Sequence, residues 1–115
     1  MRPIVVTVSD ASVSVQYSSP VRFDDFAPSN ISIQCTITGT VNYTVQTTLD
    51  DPNSPTNPVA VASMTWVDSS DTAVVAATAT KQSNFLFAPA SARIKLNSGS
   101  GSVTATFLQS SNGPI

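Results

Sequence analysis

The chain's only acids are seven aspartates, and six of them cluster: the adjacent pairs Asp24-Asp25 and Asp50-Asp51, and the close pair Asp68 and Asp71 in WVDSSDT. Converging carboxylate oxygens can hold calcium, and two carboxylates facing each other across a cleft can hydrolyse a glycoside. Neither pattern is complete here. Asp50-Asp51-Pro52-Asn53 lacks the D-x-[DN]-x-[DN]-G spacing of a calcium loop. Asp before Pro is a turn opener, because its side chain accepts from backbone amides two residues on. The Asp pairs are therefore expected to build turns, with a cation site as the competing reading. A chain of 115 residues is small for a glycosidase cleft.

Nucleophilic chemistry fares no better. The single Cys35 lies in ISIQCTITG, in phase with Ile31, Ile33 and Ile37, so it reads as a small buried hydrophobe. A nucleophilic thiol needs a base, and the chain has no His, the usual base and the commonest metal ligand. G-x-G-x-x-G, P-loop and C-x-x-C motifs are all missing, so no cofactor is expected and the chain reads as a non-enzyme. Trp66, Tyr17 and Tyr43 could form a sugar-stacking platform. Their parity with Met64, Val41 and Val45 favours core packing for Trp66 and Tyr43 instead. Phe85 and Phe87, ahead of Pro89, read as core or sheet-edge packing.

Charged residues make up 10% of the chain, against about 25% in an average domain. Five scattered Lys and Arg and a net charge of −2 provide no stripe for neutralising phosphates, so no nucleic-acid partner is expected. The N-terminal MRPIVVTVSD is too short for a signal h-region or a membrane span. The expectation is synthesis in the cytoplasm and no membrane partner. A length of 115 residues fits one domain, 1–115.

The elements that must position these side chains are strands. Helical periodicity is nearly absent, while period-2 alternation is dense. Strands are expected over Pro3–Ser9, Ser12–Tyr17, Val21–Phe23, Ser29–Thr38, Thr40–Leu49, Val59–Val67, Thr72–Thr80 and Asn84–Ala88. Gly39 is expected to turn Ser29–Thr38 and Thr40–Leu49 into one hairpin. In ARIKLNSGSGSVTATFLQ, Ile94 and Leu96 are expected opposite Val103, Ala105 and Phe107 in a second hairpin, with Arg93 and Lys95 pointing outward. LDDPNSPTNPV, with three prolines, reads as an ordered loop. About eight short strands at even spacing predict an all-β fold, an antiparallel β-sandwich of jelly-roll-like kind.

Three segments resemble a group of small proteins from tailed-bacteriophage genomes. They are MRPIVVTVSDAS, TVNYTVQTTLDDPNSPTNPVAVASMTWVDSS and APASARIKLNSGSGSVTATFLQ, which together cover well over half the chain. The shared pattern is a Tyr-x-Val-Gln strand, an Asp-Asp-Pro loop, a Trp, and a Pro-Ala-Arg-Ile segment closing on Leu-Gln. The resemblance implies a virion protein on the capsid surface that decorates or cements the major capsid protein lattice, with self-association as a dimer or trimer in view. A tail or vertex module for host-surface carbohydrate is the alternative. Candidate partner contacts are an N-terminal arm, Met1, Arg2, Pro3 and Ile4, and a proline-stiffened loop, Asp50, Asp51, Pro52, Asn53, Pro55 and Asn57. Arg93 and Lys95 on the outward face and Pro114 and Ile115 in the tail 110–115 complete the set.

Overall fold

The computed structural model describes residues 4–23, 29–50, 56, 58–84 and 89–110, and every structural statement below concerns these. Nine strands form two antiparallel sheets packed face to face. They are β1 (Ile4–Ser9), β2 (Gln16–Tyr17), β3 (Val21–Arg22), β4 (Ser29–Thr38), β5 (Asn42–Thr48), β6 (Val67–Asp68), β7 (Lys81–Asn84), β8 (Ser91–Ser98) and β9 (Ser102–Ser110). One sheet runs β1-β9-β4-β7 and the other β2-β8-β5-β6, with β3 also on β8. The protein is an all-β sandwich, as its alternating sequence predicts.

Both expected hairpins are absent. β4 pairs with β9 and β7, whereas β5 pairs with β8 and β6. The links after β4 and after β8 therefore carry the chain from one sheet to the other as arches. Alternation cannot distinguish the two outcomes, because both turn the same side chains toward the interior. Side by side, the two arches interlock. The Gly101 N–H donates to the Thr40 carbonyl at 3.0 Å, while Asp10 and Ala11 donate to the carbonyls of Gly101 and Gly99 at 3.1 and 2.8 Å. Gly39 (φ +79°) and Gly99 (φ +105°) adopt backbone conformations that L side chains resist. A Cβ on Gly99 would lie 2.9 Å from the Thr40 carbonyl carbon and the Val41 Cα, so bare backbone is what lets the arches touch.

The interior is filled from both sheets by Ile31, Ile33 and Cys35 of β4, Tyr43 and Val45 of β5, Ile94 and Leu96 of β8, and Val103, Ala105 and Phe107 of β9. Ile37, expected to share that side, is only partly buried at its rim. Phe23 meets Phe107 edge to face at 5.7 Å, a favoured aromatic geometry. The Tyr43 hydroxyl donates to the Ala79 carbonyl at 2.8 Å, so the largest core residue keeps its polar tip bonded.

Other expectations need correction. Ser12–Tyr17 pairs only at Gln16 and Tyr17; Val13 is 96% exposed, so this stripe faces solvent rather than core. Val59–Val67 contains a 3-10 turn at Val61–Ser63, with pairing only at Val67–Asp68. Thr72–Thr80 opens as a 3-10 turn, Thr72–Val74, capped by the Asp71 side chain accepting from the Ala73 N–H at 3.0 Å. It then touches β5 through a single bridge between Ala77 and Tyr43. That segment lies along the edge of β5, where Ala76 donates to Thr44 Oγ1 at 3.0 Å. Thr44, Gln46 and Thr48, on the other face of β5 from Tyr43 and Val45, are buried as well, and Leu49 is 73% exposed. The strand expected at Asn84–Ala88 lies outside the described residues beyond Asn84.

Candidate functional site

The outer face of the β2-β8-β5-β6 sheet gathers the chain's most distinctive chemistry. β8 alternates Ile94 and Leu96 inward with Arg93 and Lys95 outward, as its sequence dictates. Register sets Arg93 opposite Gln46 on β5, Gln46 opposite Asp68 on β6, and Lys95 opposite Tyr17 on β2. Arg93 Nε donates to Gln46 Oε1 at 2.9 Å, and Gln46 Nε2 donates to Asp68 Oδ1 at 3.0 Å. The donation from a guanidinium orients the Gln46 amide, which leaves its N–H free to bond the carboxylate.

The Arg93 guanidinium carbon lies 4.2 Å from the Tyr17 ring centre and 4.4 Å from the Trp66 ring centre. Both distances are within cation–π range. Burial lowers the Arg93 pKa from its usual value, with the Tyr17 hydroxyl acting in the opposite direction, and an arginine still stays charged. Trp66 is therefore not the core residue its parity predicts. It is half-buried over Arg93, while Tyr43 is fully buried as expected. Tyr17 is 49% exposed, so aromatic and cationic surface lie together, whereas Val67, in register with Thr47 and Ala92, turns to the other face of the sheet. Sequence reading proposed these residues in separate roles. Gln46 carries no sequence signal of its own, and Asp68, read from the sequence only as a carboxylate close to Asp71, carries none for this joining role.

The other candidates scatter. Ile4 begins β1 at a sheet edge and is 36% exposed. Asp50 follows β5, where its N–H donates to Thr48 Oγ1 at 3.1 Å and its Oδ2 accepts from the Thr65 N–H at 2.6 Å. That carboxylate ties the end of β5 to a residue fifteen positions on, not to an amide two residues on as the turn reading expects. Met1, Arg2, Pro3, Asp51, Pro52, Asn53, Pro55, Asn57, Pro114 and Ile115 lie outside the described residues, as do Asp24, Asp25, Phe85 and Phe87.

Asp68 and Asp71 do not converge on a common bond. Asp68 binds Gln46, whereas Asp71 accepts from the Ser83 hydroxyl and the Ala73 N–H, and these bonds hold its carboxyl below the usual aspartate value. Among the described residues no three His, Cys, Asp or Glu side chains gather as a metal site. Burial pushes the Cys35 thiol up to about 12, only partly countered by the neighbouring Tyr43 hydroxyl, so at neutral pH it carries no nucleophilic thiolate.

A concavity of about 550 Å³ lies on the opposite sheet, among residues that include Ser32, Gln34, Gln82, Asn84, Thr106 and Leu108. Its lining also includes the Asp71 carboxylate, which is held by the Ser83 hydroxyl, and Gln82 Nε2 is bonded to Gln34 Oε1 at 2.7 Å. Among the described residues no helix is long and apolar enough to cross a membrane. No protein-family model, curated protein or solved structure matches the chain.

Proposed function

We propose that the protein is a non-enzymatic virion component that binds the outside of a bacteriophage capsid and cements neighbouring subunits of the major capsid protein. The observation that carries the reading is the Tyr17–Arg93–Trp66 stack on an open sheet face. Trp, Tyr and Arg are the residues most enriched at the energetic centres of protein interfaces. Here the guanidinium is already held by two rings and Gln46, so little side-chain entropy remains to be lost on docking. The resemblance to phage virion proteins supplies the partner. A capsid is a symmetric lattice, and a small rigid sandwich touching two subunits gains by multivalency without turning anything over.

Strand order supports reading the sandwich as a jelly roll. The orders β1-β9-β4-β7 and β2-β8-β5-β6 place β1 and β2, β4 and β5, and β8 and β9 in opposite sheets, as two interlocked Greek keys require. Jelly rolls serve capsids and lectins alike, so the fold does not choose the function.

The copy number of the chain relative to the major capsid protein in purified particles tests the proposal. Near-stoichiometric copies are expected, and absence from particles would end the virion reading. A second reading, a tail or vertex module for host glycans, draws on the exposure of Tyr17 beside Trp66. It predicts a handful of copies per particle and quenching of Trp66 fluorescence by surface glycans.

A further inference from the structure

The four sheet edges are unequal. β2 and β6 are two residues long, and β7, Lys81–Asn84, carries an exposed lysine at its start. Short strands and edge lysines are the usual means of discouraging strand addition. β1 has neither. It runs Ile4–Ser9, IVVTVS, with no charge, no proline and no register shift against β9. Val5 is 57% exposed on its outer face, and Ile4 is 36% exposed on its inner face.

The free backbone groups of β1 can be assigned. Asp10 donates to Gly101 in continuation of the Ser9–Ser102 register, and the Ile37 N–H points away from β9 to Thr80 Oγ1. Antiparallel bonding alternates along each strand. Both observations therefore direct the groups of Ile4, Val6 and Val8 to β9, leaving those of Val5, Thr7 and Ser9 on the open edge.

We infer that this edge pairs with β1 of a second copy of the chain across a two-fold axis, joining two four-stranded sheets into one of eight. The register is set by the side chains. With Val6 facing the partner's Val6, Ile4 meets the partner's Val8 on the inner face and Val5 meets the partner's Thr7 on the outer face. A shift of one residue would set inner side chains against outer ones. A shift of two would place Ile4 opposite the partner's Asp10. The chosen register extends both cores and makes two reciprocal Val5–Thr7 hydrogen-bonded pairs. A foreign strand could use the same backbone groups. A second copy is selected because the uncharged, apolar edge complements itself under antiparallel pairing, with no like charges brought together.

The area sets the strength. Six residues at about 3.4 Å each give an edge about 20 Å long, on a molecule 21 Å through its thinnest dimension. Each copy thus presents roughly 400 Å², and the pair about 800 Å², below the range of about 1,200–2,000 Å² for stable complexes. A pair of that size is expected to be weak and to form only at elevated concentration. This inference is independent of the capsid reading.

Sedimentation equilibrium of the full chain from about 1 to about 300 μM is the test, a range that covers weak micromolar association. The weight-average mass is expected to rise from monomer toward twice the monomer, with the amides of Val5 and Thr7 gaining exchange protection as concentration rises. Thr7→Pro removes an outward N–H without touching a backbone bond to β9, losing there only the exposed Thr7 Oγ1–Thr104 Oγ1 contact. The double variant Val5→Lys, Thr7→Lys places ammonium groups opposite one another only in the pair. Both are expected to weaken association at least about tenfold, the factor lost for about 1.4 kcal/mol. If Thr7→Pro fails to fold by circular dichroism, the lysine pair decides. A wild-type chain that stays monomeric throughout, or folded variants that associate like wild type, would overturn the inference.

Discussion

Replacing Gly99 with alanine probes the join between the two arches. Two costs are visible. At φ +105° a Cβ strains the backbone, at about 1–3 kcal/mol for a conformation of this kind. The same Cβ would overlap the Thr40 carbonyl, which belongs to the neighbouring arch and cannot rotate aside as a side chain would. Relief requires the arches to separate, weakening the Gly101-to-Thr40 and Ala11-to-Gly99 hydrogen bonds, each worth about 1 kcal/mol. Alanine also stiffens the unfolded chain, which returns about 0.4–1 kcal/mol. The net loss is about 3 kcal/mol. For 115 residues at about 2.1 cal/mol/K each, that lowers Tm by about 12 °C. Gly39→Ala is the internal comparison. Its φ of +79° is nearer the left-handed region, and its Cβ would sit 3.1 Å from the Gly101 Cα, so about 1 kcal/mol and about 4 °C are expected. Differential scanning calorimetry of both variants, with reversibility checked, reads the order directly. In a hairpin, the Gly99 Cβ would project into solvent. A Gly99→Ala chain melting within about 2 °C of wild type, or no lower than Gly39→Ala, would therefore refute the interlocked arches.

Two further predictions concern single side chains. Arg93→Ala should cost about 2 kcal/mol, the scale of two cation–π contacts and one hydrogen bond, and should shift Trp66 emission to the red as water reaches the ring. Arg93→Lys should recover less than half of that loss, because an ammonium cannot lie flat between two rings; emission unchanged in both variants would remove Arg93 from the stack. The Cys35 thiol should resist disulfide reagents in the native protein at pH 8 and react fully in denaturant. Its pKa is raised on folding from 9.0 to about 12, so the associated stability is intact below pH 9 and is lost as pH climbs toward 12. Native-state labelling at the rate of an unfolded peptide would contradict the burial.

The amino-acid sequence by itself determined the class of the fold and the inward faces of β4, β8 and β9. Alternation in ISIQCTITG and ARIKL assigned Ile31, Ile33, Cys35, Ile94 and Leu96 to one interior, because a strand has only two faces and one of them is apolar. Absent His and sparse charge likewise disfavoured most catalytic and phosphate-binding chemistry before any coordinates. Pairing was a different matter. β4 and β5, like β8 and β9, show inward faces of the same parity whether they bond to each other or oppose each other across the core. Only three-dimensional contact at Gly39, Gly99, Gly101 and Thr40 chose the arch. The same limit applied to the site. Tyr17, Gln46, Trp66, Asp68 and Arg93 lie on separate segments, and alternation reports which face a residue occupies, not which neighbour lies beside it. Their assembly was decided by sheet register, a property of tertiary structure, which set the Arg93 guanidinium between two rings and Gln46 between Arg93 and a carboxylate.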